Sequence, residues 1–190
     1  MAVNVKRKWT VDEYLAFERE SEIRHAFLDG EIFAMAGAEP AHNDIFSNTH
    51  NSLMNQIKGR PCKVNGPDMR VKTASGLYTY PDISVVCGER QFNDDRPRTL
   101  LNPTVIVEVL SPSTEAYDRG DKFHHYRSIP AFREYVLISS TRQQIEHFAR
   151  QADDSWRIAV LDSADGTLAL TSIDCTLTLA DVYVDVVFEA

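Results

Sequence analysis

Tyr80-Pro81-Asp82-Ile83-Ser84-Val85-Val86-Cys87 and, farther along, Val105-Ile106-Val107-Glu108-Val109-Leu110-Ser111 are short apolar runs rich in β-branched residues, the composition of buried strands. Each carries one carboxylate where a core strand ordinarily places another aliphatic side chain. An ionised carboxylate in a low-dielectric interior is costly unless it is paired, hydrogen-bonded or bound to a metal. Two of them in neighbouring core strands therefore point to a cation site.

Working outward from this pair, the chain mixes helices and strands. Thr10-Val11-Asp12-Glu13 matches a capping box, which predicts a helix to about Glu20 with Val11, Tyr14 and Leu15 inward. Residues 23–36 read as two strands around Asp29-Gly30, a dipeptide suited to a tight hairpin. Ile45, Thr49, Leu53 and Ile57 recur every four residues, the stripe of a long helix over 39–58 that Gly59-Arg60-Pro61 stops. Strands are expected over 62–64, 69–73 and 77–87 as a meander, followed by a polar loop, 88–102, containing Asn93-Asp94-Asp95-Arg96-Pro97, and this loop is the expected mobile surface segment.

After Ser111-Pro112-Ser113-Thr114, residues 118–128 have helical spacing up to Pro130, and 134–139 read as a strand covered on both faces. Short strands follow over 144–148, 156–161 and 167–170, with a closing helix over 179–187. This last part reads as a β-rich appendage, about 141–190, on a core of about 9–140, all within a single domain spanning 1–190.

The 190 residues suit one core, and 43% hydrophobic with 25% charged residues argues against wholesale disorder. Lys6, Arg7 and Lys8 are followed by Trp9 and a polar helix rather than an apolar run, so the beginning of the chain does not read as a signal peptide. No run approaches a membrane span, and the expected location is cytoplasmic. Cys62, Cys87 and Cys175 are an odd number without close spacing and are expected to be reduced. A net charge of −8 is unusual for a binder of nucleic acid, although carboxylates at a metal site count toward it until cations bind.

Asp82, then Glu108, then Lys122 form a carboxylate, carboxylate, ammonium set in chain order. Two carboxylates with backbone carbonyls and water can hold Mg²⁺. A nearby lysine then orients water or stabilises charge developing on a phosphate.

These residues resemble the PD-(D/E)XK nuclease superfamily and, within it, a widespread bacterial family of restriction-endonuclease-like proteins. The resemblance is carried by Asp29-Gly30-Glu31-Ile32, Tyr78-Thr79-Tyr80-Pro81-Asp82, Val107-Glu108-Val109-Leu110-Ser111-Pro112-Ser113-Thr114 and Asp118-Arg119-Gly120-Asp121-Lys122. It implies an α/β (α+β) fold with a restriction-endonuclease-like core, a mixed central sheet flanked by helices and extra C-terminal strands. It further implies a Mg²⁺-dependent phosphodiesterase site at Asp82 and Glu108, with Mn²⁺ able to substitute and DNA as substrate. In the general pattern a lysine stands two residues after the second acid, where this chain has Leu110, and Lys122 is the candidate replacement. Ala26 stands where close relatives often have Glu, which leaves Glu31 as the nearby acid.

Structural readings stand beside these. Asp82 could cap a turn. Lys122 could simply pair with Asp118 one helical turn earlier. Tyr126 is expected to pack along the Lys122 stem, and His50 and His147 to lie on the surface. His42 is a candidate pocket-wall or accessory residue. Arg70 and Lys72, in a scattered basic stripe, and Arg119 are candidate phosphate contacts. Three functions fit: a Mg²⁺-dependent DNA endonuclease, a weak or inactive nuclease fold acting as a binding module, and a metal-dependent hydrolase of another substrate. Cutting both strands of a two-fold symmetric duplex suits a homodimer, with the C-terminal strands as the place to seek its interface.

Overall fold

A computed structural model describes residues 7–35, 37–93, 98–163 and 165–188. Residues 94–97 of the expected mobile loop and most of the basic N-terminus lie outside these.

The first helix, α1 (Val11–Glu20), begins as its capping box dictates: Glu13 N–H donates to Thr10 Oγ1 at 3.2 Å, and Thr10 N–H to Glu13 Oε2 at 2.9 Å. Tyr14 and Leu15 face inward as expected, whereas Val11, at the first turn, is exposed. The third inward residue is Glu18, whose carboxylate accepts from the backbone and the Nδ1 of His25 at 3.0 Å each. Strands β1 (His25–Leu28) and β2 (Glu31–Ala34) form the hairpin, and Asp29 and Gly30 both take positive φ, the conformation of a tight hairpin turn.

The long helix α2 (Pro40–Ile57) starts on a proline whose missing N–H is no loss at that position, and buries Ala41, Ile45, Thr49, Leu53 and Ile57. Next come β3 (Cys62–Asn65), β4 (Val71–Lys72), β5 (Tyr78–Thr79) and β6 (Ile83–Cys87). They are not a meander. β5 and β4 complete a four-stranded sheet in the order β2-β1-β5-β4, and β6 pairs with β3 in a different sheet. The continuous strand expected over 77–87 breaks at Tyr80-Pro81-Asp82, where the proline has no N–H for a ladder. That break places Asp82 at the mouth of the second sheet.

The second sheet contains β7 (Val105–Leu110), β8 (Glu134–Ser139), β9 (Ile145–Arg150) and β10 (Trp156–Leu161), in the order β10-β9-β8-β7-β6-β3. β7 and β8 are parallel and wholly buried, and the other pairs are antiparallel. β9 and β10 therefore extend the central sheet rather than forming an appendage. A last hairpin, β11 (Thr167–Leu170) with β12 (Cys175–Thr178), and α5 (Leu179–Val182) pack with α2 on one face. The sequence reading missed β12.

On the other face lie α3 (Glu115–Tyr117), a π turn (Asp118–Lys122) and α4 (Phe123–Tyr126). With Ile129 and Phe132 this segment covers Ile106, Leu110, Tyr135 and Leu137.

Two expectations of surface or reactive chemistry are corrected. Cys62 and Cys87 are joined by a disulfide, because antiparallel pairing of β3 and β6 sets them directly opposite at a Cα separation of 4.0 Å. Their sequence separation of 25 conceals this proximity. Cys175 is free and buried. His147 is buried, with Nε2 2.6 Å from Glu134 Oε2. Among the described residues no helix is long and apolar enough to cross a membrane.

Candidate active site

Strand β7 delivers Glu108 into the core at 3% exposure. Its two oxygens have different surroundings. Oε1 lies 2.8 Å from Lys122 Nζ and accepts a 2.8 Å hydrogen bond from the Tyr126 hydroxyl. Among the described residues, Oε2 has a single long contact, 3.4 Å, from the backbone N–H of Asp82. Asp82 in turn accepts from the Val109 N–H at 2.7 Å through Oδ2, which also lies 3.3 Å from His42 Nε2. The break before β6 and the end of β7 are thus stitched together reciprocally. Glu108 Oε2 and Asp82 Oδ1 are the carboxylate atoms least engaged by these bonds. The Asp82 carboxyl keeps 19% exposure, so the site opens on its side.

Lys122 forms the Asp118 ion pair that the sequence allowed, and it also reaches Glu108. The π turn aims it inward together with Asp118, and Nζ sits 3.0 Å from Asp118 Oδ1 as well as against Glu108. The turn is held by the Tyr135 hydroxyl, which donates to the Asp118 carbonyl at 3.2 Å. π turns of this kind concentrate at functional sites. Leu110, in the usual lysine position, is 2% exposed and belongs to the core.

The charge balance is negative. Burial pushes the Glu108 carboxyl up to about 8; the Lys122 ammonium opposes this, and the Asp82 and Asp118 carboxylates add to it. Burial works against the Lys122 ammonium, yet Glu108 and Asp118 hold it protonated above its ordinary range. Burial likewise disfavours charge on His42, but the hydrogen bond and charge of Asp82 outweigh it and raise its pKa. The Tyr126 phenol is pushed well up by burial and by Glu108, and so stays a donor.

The donor set is hard oxygen around an excess of negative charge, which fits a cation such as Mg²⁺. Among the described residues no three His, Cys, Asp or Glu side chains converge as a metal cage. Asp82 and Glu108 would therefore supply two ligands and leave the others to water or substrate oxygens, the sparse protein coordination Mg²⁺ accepts.

The remaining candidates lie elsewhere. Glu31 is exposed at the start of β2. Arg70 is 2% exposed, with Nε bonded to Thr99 and its guanidinium over the rings of Tyr14 and Tyr78, so it is a core residue and no surface phosphate contact. Lys72 rests over the Tyr78 ring. Arg119 grips both oxygens of Glu146 and pairs with Glu115, which occupies the guanidinium that a phosphate would need. Asp118 and the Tyr126 hydroxyl were missed as site members. Their signal was Asp118, Lys122 and Tyr126 at successive four-residue spacings, together with the carboxylate of Glu108 inside an aliphatic run.

Comparison with known proteins places this site in context. Two Synechocystis proteins, uncharacterized proteins slr1290 and sll1609, are each 35% identical to the chain, over 93% and 85% of its length and 92% of their own. A crystal structure from Anabaena variabilis, titled as a "putative nuclease belonging to DUF820", superposes with a TM-score of 0.74 over 92% of this chain and 97% of that one. At 20% identity this likeness shows the fold alone: a mixed central sheet with helices on its faces. The family model Uma2, described as "Putative restriction endonuclease", matches residues 11–180, and the chain belongs to that family.

Proposed function

We propose that the protein is a Mg²⁺-dependent endonuclease that hydrolyses DNA phosphodiester bonds at Asp82 and Glu108, with Mn²⁺ able to replace Mg²⁺. The observation that carries this reading is the unequal coordination of Glu108. One oxygen is engaged by Lys122 and Tyr126, while the other meets the long contact from the Asp82 N–H. Membership of a family described as restriction endonucleases supports the same reading.

In this mechanism Asp82 and Glu108 would hold the cation. Bound there, Mg²⁺ would supply Lewis acidity toward a phosphate oxygen and make a coordinated water more acidic. Lys122, fixed by two of its three N–H donors, directs the third toward the scissile phosphate. There its fixed positive charge stabilises the negative charge that builds as water oxygen bonds to phosphorus and the ester oxygen leaves. His42 holds the Asp82 carboxylate in line with the opening. The partner is DNA, and a homodimer would cut both strands of a duplex.

A second reading is a catalytically weak nuclease fold used as a binding module. It is favoured by Lys122 being clamped between two carboxylates, which shields its charge from substrate. Plasmid nicking with Mg²⁺ and Mn²⁺ separates the two. Metal-dependent cleavage lost in both Asp82→Ala and Glu108→Ala supports the enzyme. Duplex binding without cleavage supports the module, and cleavage that survives both substitutions overturns the site.

A further inference from the structure

We propose that Tyr126 is a positioning residue for the cation site: its hydroxyl, with Lys122, fixes Glu108 Oε1 so that Oε2 alone is presented beside Asp82. This rests on reading Asp82 and Glu108 as the cation ligands.

A carboxylate on a strand can rotate about its last bond and offer a cation either oxygen or both. Here one oxygen is claimed twice, by Tyr126 and Lys122 at 2.8 Å each, whereas among the described residues the other meets only the 3.4 Å contact from Asp82 N–H. The two donors arrive from one short segment. The π turn carries Lys122 inward, and Tyr126, one turn later, follows it into the core at 0% exposure. That segment is anchored independently of Glu108. Tyr135 on β8 holds the Asp118 carbonyl at 3.2 Å, and the Tyr126 ring packs against Phe132 and Tyr135 at centroid distances of 5.9 and 5.6 Å. The hydroxyl therefore stands at a position set by the core, and the carboxylate conforms to it. A neutral donor also orients Glu108 without adding positive charge that would repel a cation, which a second lysine would do. Outer hydrogen-bond partners of metal ligands typically govern affinity or activity by about 10–100-fold.

The test is Mn²⁺ titration of the full chain by calorimetry. Wild type is expected to bind, and Asp82→Ala to lose binding. Tyr126→Phe, which keeps the ring and its packing, is expected to bind about 10–100-fold more weakly. Phe132→Leu disturbs the same aromatic cluster without touching Glu108, and is expected to lower Tm while leaving Mn²⁺ affinity within about twofold of wild type. Wild-type affinity in Tyr126→Phe overturns the positioning role and leaves the site intact. Equal weakening in Phe132→Leu also overturns it, because packing and not the hydroxyl would be responsible. Failure of wild type to bind Mn²⁺ overturns the site reading itself.

Discussion

Glu108 and Glu134 sit on adjacent parallel strands of one sheet, 3% and 2% exposed, and their environments have opposite effects. Burial raises the pKa of each. At Glu134 it is outweighed by His147, whose Nε2 lies 2.6 Å away, and by Ser172, whose N–H donates at 2.7 Å, so the carboxyl is held below its ordinary range. Both oxygens are used, and the pair ties β8 to β9 and to the turn before β12. At Glu108 the donors crowd one oxygen, two further carboxylates stand nearby, and the pKa rises to about 8. A buried carboxylate whose donors compensate its burial is a structural tie. One whose pKa stays raised even beside its own ammonium, with further carboxylates nearby, would gain from an added cation.

The contrast can be broken from either side. Lys122→Met should have the largest effect. It leaves Glu108 and Asp118 buried without their shared cation, and stability measured by urea unfolding should fall by about 3–5 kcal/mol. Glu108→Gln should instead lower metal-dependent nicking by about 10²–10³-fold, the range for removing one charge-stabilising group, with Tm at pH 9 no lower than wild type. Glu134→Gln should do the converse. Nicking per folded molecule persists, and stability falls by about 1–3 kcal/mol as the His147 and Ser172 donors lose a charged acceptor.

The two acids should also oppose each other in pH dependence. The stability that Glu134 contributes is present above the ordinary carboxylate value of about 4.3 and is lost as pH falls through its lower folded value. Glu108, with its raised folded pKa, has its contribution fully present below about 4.3, and loses it as pH rises toward about 8. Mg²⁺ should therefore raise Tm more at pH 9 than at pH 6 in wild type, and no longer do so in Glu108→Gln. Arg119→Ala should have the smallest effect, about 0–1 kcal/mol in stability. The salt dependence of DNA binding should not change, because Glu146 and Glu115 already occupy its guanidinium.

What the sequence disclosed was what local rules govern. The Thr10 to Glu13 capping box, the Asp29-Gly30 turn and the Ile45, Thr49, Leu53, Ile57 stripe each depend on residues a few positions apart, and each formed as read. The anomaly of Asp82 and Glu108 was legible because a charge inside an aliphatic run violates patterning in the sequence itself. Long-range register was not legible. The division of residues 77–87 between two sheets, the Cys62–Cys87 pairing, and the burial of His147 against Glu134 all depend on which strands lie side by side. Arg70 read as surface for the same reason, since the rings that enclose it come from α1 and β5. Lys122 was ambiguous because the pair with Asp118 is local in the sequence, whereas the approach of the same ammonium to Glu108 depends on how the helical segment packs on the sheet.

The central claim is that one cation sits between Asp82 and Glu108. Crystals soaked in Mn²⁺ and measured by anomalous diffraction test it most directly. The account predicts a peak within direct bonding distance of the Asp82 carboxylate and of Glu108 Oε2, with Oε1 still held by Lys122 and Tyr126. A Mn²⁺ peak elsewhere in the molecule, or none at this pair at saturating Mn²⁺, would contradict it.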